Sequence, residues 1–457
     1  MKNELLNLSY KVEELYSEIS KGDAVPDVDL QKITSFLSRH FQFNKPQPVS
    51  EIAENVNTML STWSIHTNHP RHFGLFQPSL RKTGVIADAL VAAYNPQVGA
   101  WWFSPAANEI EKHSLAFISK KFGFNPKEVF SSFTSGGSES TTTSVLCALT
   151  KYFPHYAMEG LIGFSGRPKI YVSSEAHDSI VKIAHQLGLG RCAISRIPTD
   201  SKQRLDINLL TRQVIKDRSI KYKPFLVIAT AGTTAGGAID PLPELSQFCQ
   251  SENLWLHIDA AWGGGFVFSD KTKTYFTGIE EADSVTWDPH KSLPIPLGAG
   301  YFLCKHKDSV KRTFSVSASY VPDEVEGQLD LYKMGLPWSR RFIGLKVFMV
   351  IAELGEEGLA QMIEHQFSMG NYLLQRLQET GWIIENYSPL PVVCFSHPNS
   401  KYSIEKILNS VMTRKKCWIS QVSLNDERPA LRACISSYKT KKEDIDILID
   451  ELNISSI

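Results

Sequence analysis

The chain has 457 residues, enough for one large domain plus a smaller one, each with its own core. Lys plus Arg equals Asp plus Glu at 48 each, so the formal charge is zero, which argues against the basic footprint of a nucleic-acid binder. Apolar runs break well before the ~18 residues of a membrane span, and seven dispersed cysteines without a CxxC pair suit a reducing, cytoplasmic compartment better than a disulfide framework or zinc site.

The first stretch, MKNELLNLSYKVEELYSEIS, mixes charges among its apolar residues and is expected to be neither a secretory signal nor a span. Helical patterns punctuated by Pro26, Pro46 and Pro48 continue to about residue 60, and residues 1–75 are read as a helical N-terminal unit. His66, His69 and His72 have a spacing that invites a metal, but Pro70 keeps them off one helical face, and no metal is assigned.

From about residue 105 to 300, short apolar runs alternate with amphipathic segments. The runs are KIYVSS (169–174), FLVIATAG (225–232), LWLHIDAA (254–261), SVTWD (284–288) and AGYFLC (299–304). Between them, Asp178–Leu187, Ile207–Asp217 and Leu242–Ser251 read as helices. This alternation predicts an α/β domain over 76–345 with a mainly parallel sheet. A long helix from Gly344, four strands (WIIENY, PVVCFSH, WISQVSL, ALRACIS) and a closing helix predict a smaller α+β domain over 346–457.

In an open parallel sheet, ligands sit beyond the carboxyl ends of the strands. The reactive residues that fall there are His177, Thr233–Thr234, Asp259 and Asp288–Lys291. TSGGSES (134–140) adds a Gly-Gly turn running into a helix expected from Ser140, with free N–H groups and the hydroxyls of Ser138 and Ser140, which suits a phosphate. Singly, each has a plainer explanation: a turn, a strand-end cap, a helix-start histidine, a snorkelling lysine. Together a phosphate cradle, an acid, an imidazole and a lysine are what pyridoxal 5′-phosphate requires: a Schiff-base amine, a carboxylate for the ring nitrogen and a phosphate seat.

The series TSGGSES, SSEAHDSI, TAGTTAGGAID, HIDAAWGG and DPHKS, with HPRHFGLF (69–76) and WWFSPAANEIE (101–111), resembles the group II pyridoxal-dependent amino acid decarboxylases. The likeness covers nearly the whole chain. It implies a fold-type I enzyme with a seven-stranded-type sheet, working as a homodimer through its N-terminal arm, with the active site at the interface. It further implies decarboxylation of an L-amino acid to its amine, with Lys291 carrying the Schiff base, Asp259 on the pyridine nitrogen, Ala261 and His177 on opposite ring faces and Thr234 near the ring. Ser138, Glu139 (through its backbone), Ser140 and His290 would hold the phosphate. Relatives often have asparagine where Asp288 stands.

In that family a tyrosine matching Tyr320, within the polar segment 315–335, returns a proton to the substrate carbon, whereas a phenylalanine accompanies aldehyde formation. LPWSRRF (336–342) offers Arg340, or else Arg341, to a substrate carboxylate. Phe76, Gln77, Trp101 and Phe103 are expected to line the substrate pocket. A carbon–carbon lyase or aldehyde synthase on the same fold is the alternative activity.

Overall fold

The computed structural model describes residues 2–316, 325–424 and 428–456. Short runs rich in β-branched and aromatic residues form a central sheet. Its strands are β1 (Phe130–Thr134), β2 (Pro168–Ser173), β3 (Ile194–Ile197), β4 (Lys223–Thr230), β5 (Trp255–Asp259), β6 (Ser284–Trp287) and β7 (Gly300–Cys304), in the order β1-β7-β6-β5-β4-β2-β3. From β6 to β3 neighbours pair in parallel, whereas β7 runs antiparallel to both β6 and β1. β5 and β6 are buried along their whole length, as expected of strands covered on both faces.

The α/β class and the mainly parallel sheet read from the sequence are therefore the ones adopted. β1 and β3 were not among the expected strands. Ser131 and Ser132 interrupt the apolar run of β1, and β3 is a four-residue edge strand carrying Arg196.

A second, antiparallel sheet follows: β8 (Ile383–Ile384), β9 (Val392–Ser396), β10 (Ser420–Leu424) and β11 (Arg428–Cys434), in the order β10-β11-β9-β8. Leu373, Leu377, Phe395, Leu431 and Leu448 form its core, together with Phe73 from far upstream. The Phe73 N–H donates to the Trp418 carbonyl, and its own carbonyl accepts from Cys434 N–H. The segment leading to Phe76 is thereby fixed to this sheet. The helix expected from Gly344 runs to Glu379 but breaks at Gly355, whose φ of 63° lies in the left-handed region that glycine enters freely.

Helices Lys2–Lys21, Leu30–His40 and Val49–Trp63 precede this core. The second and third bury no residue, and Leu30, Val49 and Leu60 are exposed.

Candidate active site

Strands β4, β5 and β6 run in parallel, so their carboxyl ends open on one side of the sheet. There a cleft of ≈ 530 Å³ gathers residues that lie far apart in the chain. It is lined by Gly136, Gly137, Ser138 and Glu139 after β1, His177 after β2, Thr234 after β4, Asp259 and Ala261 from the end of β5, and Asp288, His290 and Lys291 after β6. Phe76 and Gln77 form part of another wall.

The glycine turn leads into helix Gly137–Tyr152, which starts three residues earlier than expected. Its first N–H groups, at Gly137 and Ser138, have no acceptor within the helix and are available to an anion. A Cβ on Gly136 would have only His290 Cε1 nearby, at 3.6 Å, and one on Gly137 would lie 3.1 Å from Asp288 Oδ2. Gly300 on β7 packs so closely that a Cβ there would sit 2.7 Å from Gly136 Cα. Glu139 braces the turn, its carboxylate accepting from Ser135 N–H at 2.9 Å and from the Ser135 hydroxyl at 2.6 Å. The Ser140 hydroxyl is turned inward, fully buried, with Thr134 Oγ1 at 2.7 Å. It does not reach the cleft, because the first turn of the helix points its side chain into the protein.

Lys291 stands on the short helix Pro289–Ser292. Its Nζ lies 2.9 Å from Asp288 Oδ2, and its side chain is 32% accessible against 2% for Asp288. The purpose that the sequence leaves open for Asp288 is thus a counter-ion to this lysine. Asp288 N–H donates to the Ala261 carbonyl at 2.8 Å, which ties the lysine turn to the end of β5.

Asp259 is 8% exposed and accepts a hydrogen bond from Ala261 N–H at 3.0 Å. Burial pushes its carboxyl above the ordinary carboxylate range, and the Lys291 charge pulls the other way. Burial likewise depresses the His290 imidazole, whose Nδ1 sits 2.7 Å from the Ala299 carbonyl. His177 is exposed, and its Nδ1 accepts from Ser179 N–H at 3.2 Å, so in the neutral ring the proton lies on Nε2. Thr234 is exposed at the rim.

These residues fit pyridoxal 5′-phosphate. An amine faces the cleft, a desolvated acid ends a neighbouring strand, and two glycines leave room before a helix N-terminus. Two cleft atoms, Asp288 Oδ1 and Thr230 Oγ1, are buried with no hydrogen-bond partner among the described residues, polar capacity that a bound group can meet.

Some expected residues are elsewhere. Arg340 is 8% exposed, donates from Nη2 to the Phe133 carbonyl at 2.8 Å and faces buried Glu111. Its guanidinium holds β1 through that bond and does not line the cleft, and Arg341 is exposed in a bridge with Gln97. Trp101 and Phe103 also lie outside this chain's cleft. Trp101 is pinned by Nε1–H to Glu109 at 2.8 Å and by its backbone N–H to Asp330 at 3.1 Å. Tyr320 falls outside the described residues.

Sequence reasoning missed Arg432. It is 4% exposed on β11 and donates to the carbonyls of Thr234 and Gly74, at 2.5 and 2.6 Å, and to Ser420 Oγ at 3.1 Å. It clamps the Thr234 loop to the Phe76 segment. An arginine inside the apolar run ALRACIS was the available signal.

Comparison with known proteins agrees with this chemistry. A family model described as the pyridoxal-dependent decarboxylase conserved domain matches residues 36–397. The aromatic-L-amino-acid decarboxylase of Bacillus atrophaeus is 29% identical over 448 residues, covering 94% of this chain and 91% of that protein. The acidic amino acid decarboxylase of Homo sapiens is 30% identical over 412 residues, 86% of this chain and 78% of that protein. The fold is that of mouse CSAD (TM-score 0.91, 24% identity, 99% of this chain and 98% of that one). It is also that of Oryza sativa TDC solved with PLP and tryptamine (TM-score 0.92, 19% identity, 99% and 97%).

Proposed function

The chain belongs to the pyridoxal-dependent decarboxylase family, an amino acid decarboxylase using pyridoxal 5′-phosphate, and on that premise we propose that Lys291 carries the cofactor. The proposed reaction turns an L-amino acid into its amine and carbon dioxide. The observation that carries this reading is the convergence of Lys291, Asp259 and the Gly136–Gly137 turn on one cleft at the carboxyl ends of the strands.

When bound, pyridoxal 5′-phosphate supplies a carbon that joins amines and a protonated ring that accepts the electron pair left as carbon dioxide departs. Lys291 Nζ is the amine placed for it, and Asp288 at 2.9 Å holds that amine in position. Asp259 is a poorly solvated carboxylate, so it gains most from a proton held against it and would keep the ring nitrogen protonated. The N–H groups of Gly137 and Ser138, with the Ser138 hydroxyl, would receive the phosphate. With Nδ1 accepting from Ser179, His177 has Nε2–H to offer for orienting a substrate carboxylate. Ala261, small and beside Asp259, leaves room for a flat ring. Tyr320 is proposed to return the proton to the substrate carbon. A tyrosine there, where aldehyde-forming relatives carry phenylalanine, supports the amine product.

A homodimer is part of the same proposal. Trp102 and Phe103 are 61% and 47% exposed, and helices Leu30–His40 and Val49–Trp63 bury nothing, leaving apolar faces that a second copy would cover. A cytoplasmic location is supported by seven free cysteines; among the described residues no helix is long and apolar enough to cross a membrane.

The test is product analysis on purified, cofactor-loaded protein. Amine and carbon dioxide in equal amounts are expected. Aldehyde with ammonia and peroxide would replace the decarboxylase reading with the aldehyde-synthase alternative.

A further inference from the structure

Resting on the decarboxylase reading, we infer that Thr230 is a further cofactor-binding residue, its buried hydroxyl held beside Asp259 to bond the bound pyridoxal 5′-phosphate.

Thr230 is the last residue of β4, and the parallel pairing of β4 with β5 sets it opposite Asp259. Successive side chains of a strand point to opposite faces. Leu226 and Ile228 join the core cluster of Val145 and Ala148, on the helix that starts at the glycine turn, whereas Val227 and Ala229 join the cluster on the other face. Thr230 continues the first row, on the side of the sheet where that helix lies, and it lines the cleft.

Both backbone groups of Thr230 are taken by one residue. Its N–H donates to Asp240 Oδ2 at 2.7 Å, and its carbonyl accepts from Asp240 N–H at 2.9 Å. Asp240 is buried and accepts from Leu205 N–H at 2.7 Å through its other oxygen, so the end of β4 is fixed before any ligand arrives.

The side chain is treated differently. Thr230 is 4% exposed, and its Oγ1 has no hydrogen-bond partner among the described residues. Buried threonines near the ends of two other strands have theirs: Thr134 Oγ1 lies 2.7 Å from Ser140 Oγ, and Thr286 Oγ1 lies 3.2 Å from His257 Nε2. A buried hydroxyl left unpaired costs stability, and valine would fill nearly the same space without that cost. A polar group that arrives with a ligand in the cleft accounts for the hydroxyl, which can both donate and accept. The observation belongs to this chain alone. β4 lies between β2 and β5, and a residue so deeply buried offers almost no surface for another subunit to cover.

The experiment compares Thr230→Val and Thr230→Ser with the parent, as full chains. Stability is read from thermal melts without cofactor. Affinity is read by titration with pyridoxal 5′-phosphate, followed by the absorbance of the bound cofactor and by tryptophan fluorescence. Without cofactor, Thr230→Val is expected to melt at or above the parent, while its dissociation constant for the cofactor rises about tenfold. Thr230→Ser keeps a hydroxyl and is expected to recover most of the affinity. A Thr230→Val protein that binds cofactor as tightly as the parent would overturn the inference and leave the decarboxylase reading intact. One that melts lower without cofactor would overturn it too, by revealing a structural partner for the hydroxyl. A parent that binds no pyridoxal 5′-phosphate would overturn both.

Discussion

At the carboxyl end of β6, Asp288 and Lys291 hold each other at 2.9 Å, while Asp259 on the next strand is desolvated and feels the same lysine. The two acids differ in what they lack. Asp288 has its cation; Asp259 has one backbone donor and a carboxyl raised by burial. A raised folded-state pKa favours the protonated form. The stabilising contribution of Asp259 is therefore complete below its ordinary value of 3.8 and is lost as pH rises through the raised value. Asp259→Asn should remove that loss. Without cofactor the variant is expected to melt at least as high as the parent near neutral pH and to lose less on going from about pH 4 to about pH 8. Its cofactor affinity should fall by at least about tenfold, since asparagine cannot hold a pyridinium as a carboxylate does. A variant that binds cofactor normally contradicts the role given to Asp259. Asp259 and Lys291 were legible in the sequence because an apolar run marks where a strand ends. The positions of Arg340, Trp101 and Ser140 were not, because the way a side chain turns depends on partners such as Phe133, Glu109 and Thr134, far off or facing inward.

The proposed phosphate seat depends on how two elements approach each other. β7 is antiparallel to β1, and Gly300 faces Gly136 so closely that an added Cβ would lie 2.3 Å from Thr134 Oγ1 and 2.7 Å from Gly136 Cα. Gly300→Ala should therefore cost about 1–3 kcal/mol in stability, displace the turn and weaken cofactor binding. Gly136→Ala makes a useful contrast. Its φ of 162° is extended backbone, and its Cβ would meet only His290 Cε1 at 3.6 Å. The melting temperature should hardly change while cofactor affinity falls. Equal loss of stability in the two variants, in thermal melts, would show that the turn is a packing device and no cradle. The Gly-Gly turn was visible in TSGGSES, but the need for Gly300 was not, since it arises only when β1 and β7 pair. β1 itself escaped the pattern because its serines break the apolar run.

For the whole molecule, the sheet order brings residues 136, 177, 234, 259 and 291 to one cleft, while Trp102 and Phe103 stay exposed away from it. The proposed homodimer would cover those exposed rings and the unburied N-terminal helices. Gel filtration with light scattering should give twice the 51.3 kDa chain mass. Trp102→Glu combined with Phe103→Glu should shift the protein to monomers and abolish turnover. An active monomer would refute an interfacial site. The class of fold was readable from alternating apolar runs and amphipathic helices. The docking of Phe73 into the second sheet was not, because it is settled by long-range packing.

The central claim is that Lys291 bears the cofactor. Its most direct test is borohydride reduction of the pyridoxal 5′-phosphate-loaded protein, followed by proteolysis and mass mapping. The account predicts a reduced cofactor adduct on the peptide containing Lys291, absent from Lys291→Ala. An adduct on another lysine, or none at all, would contradict it.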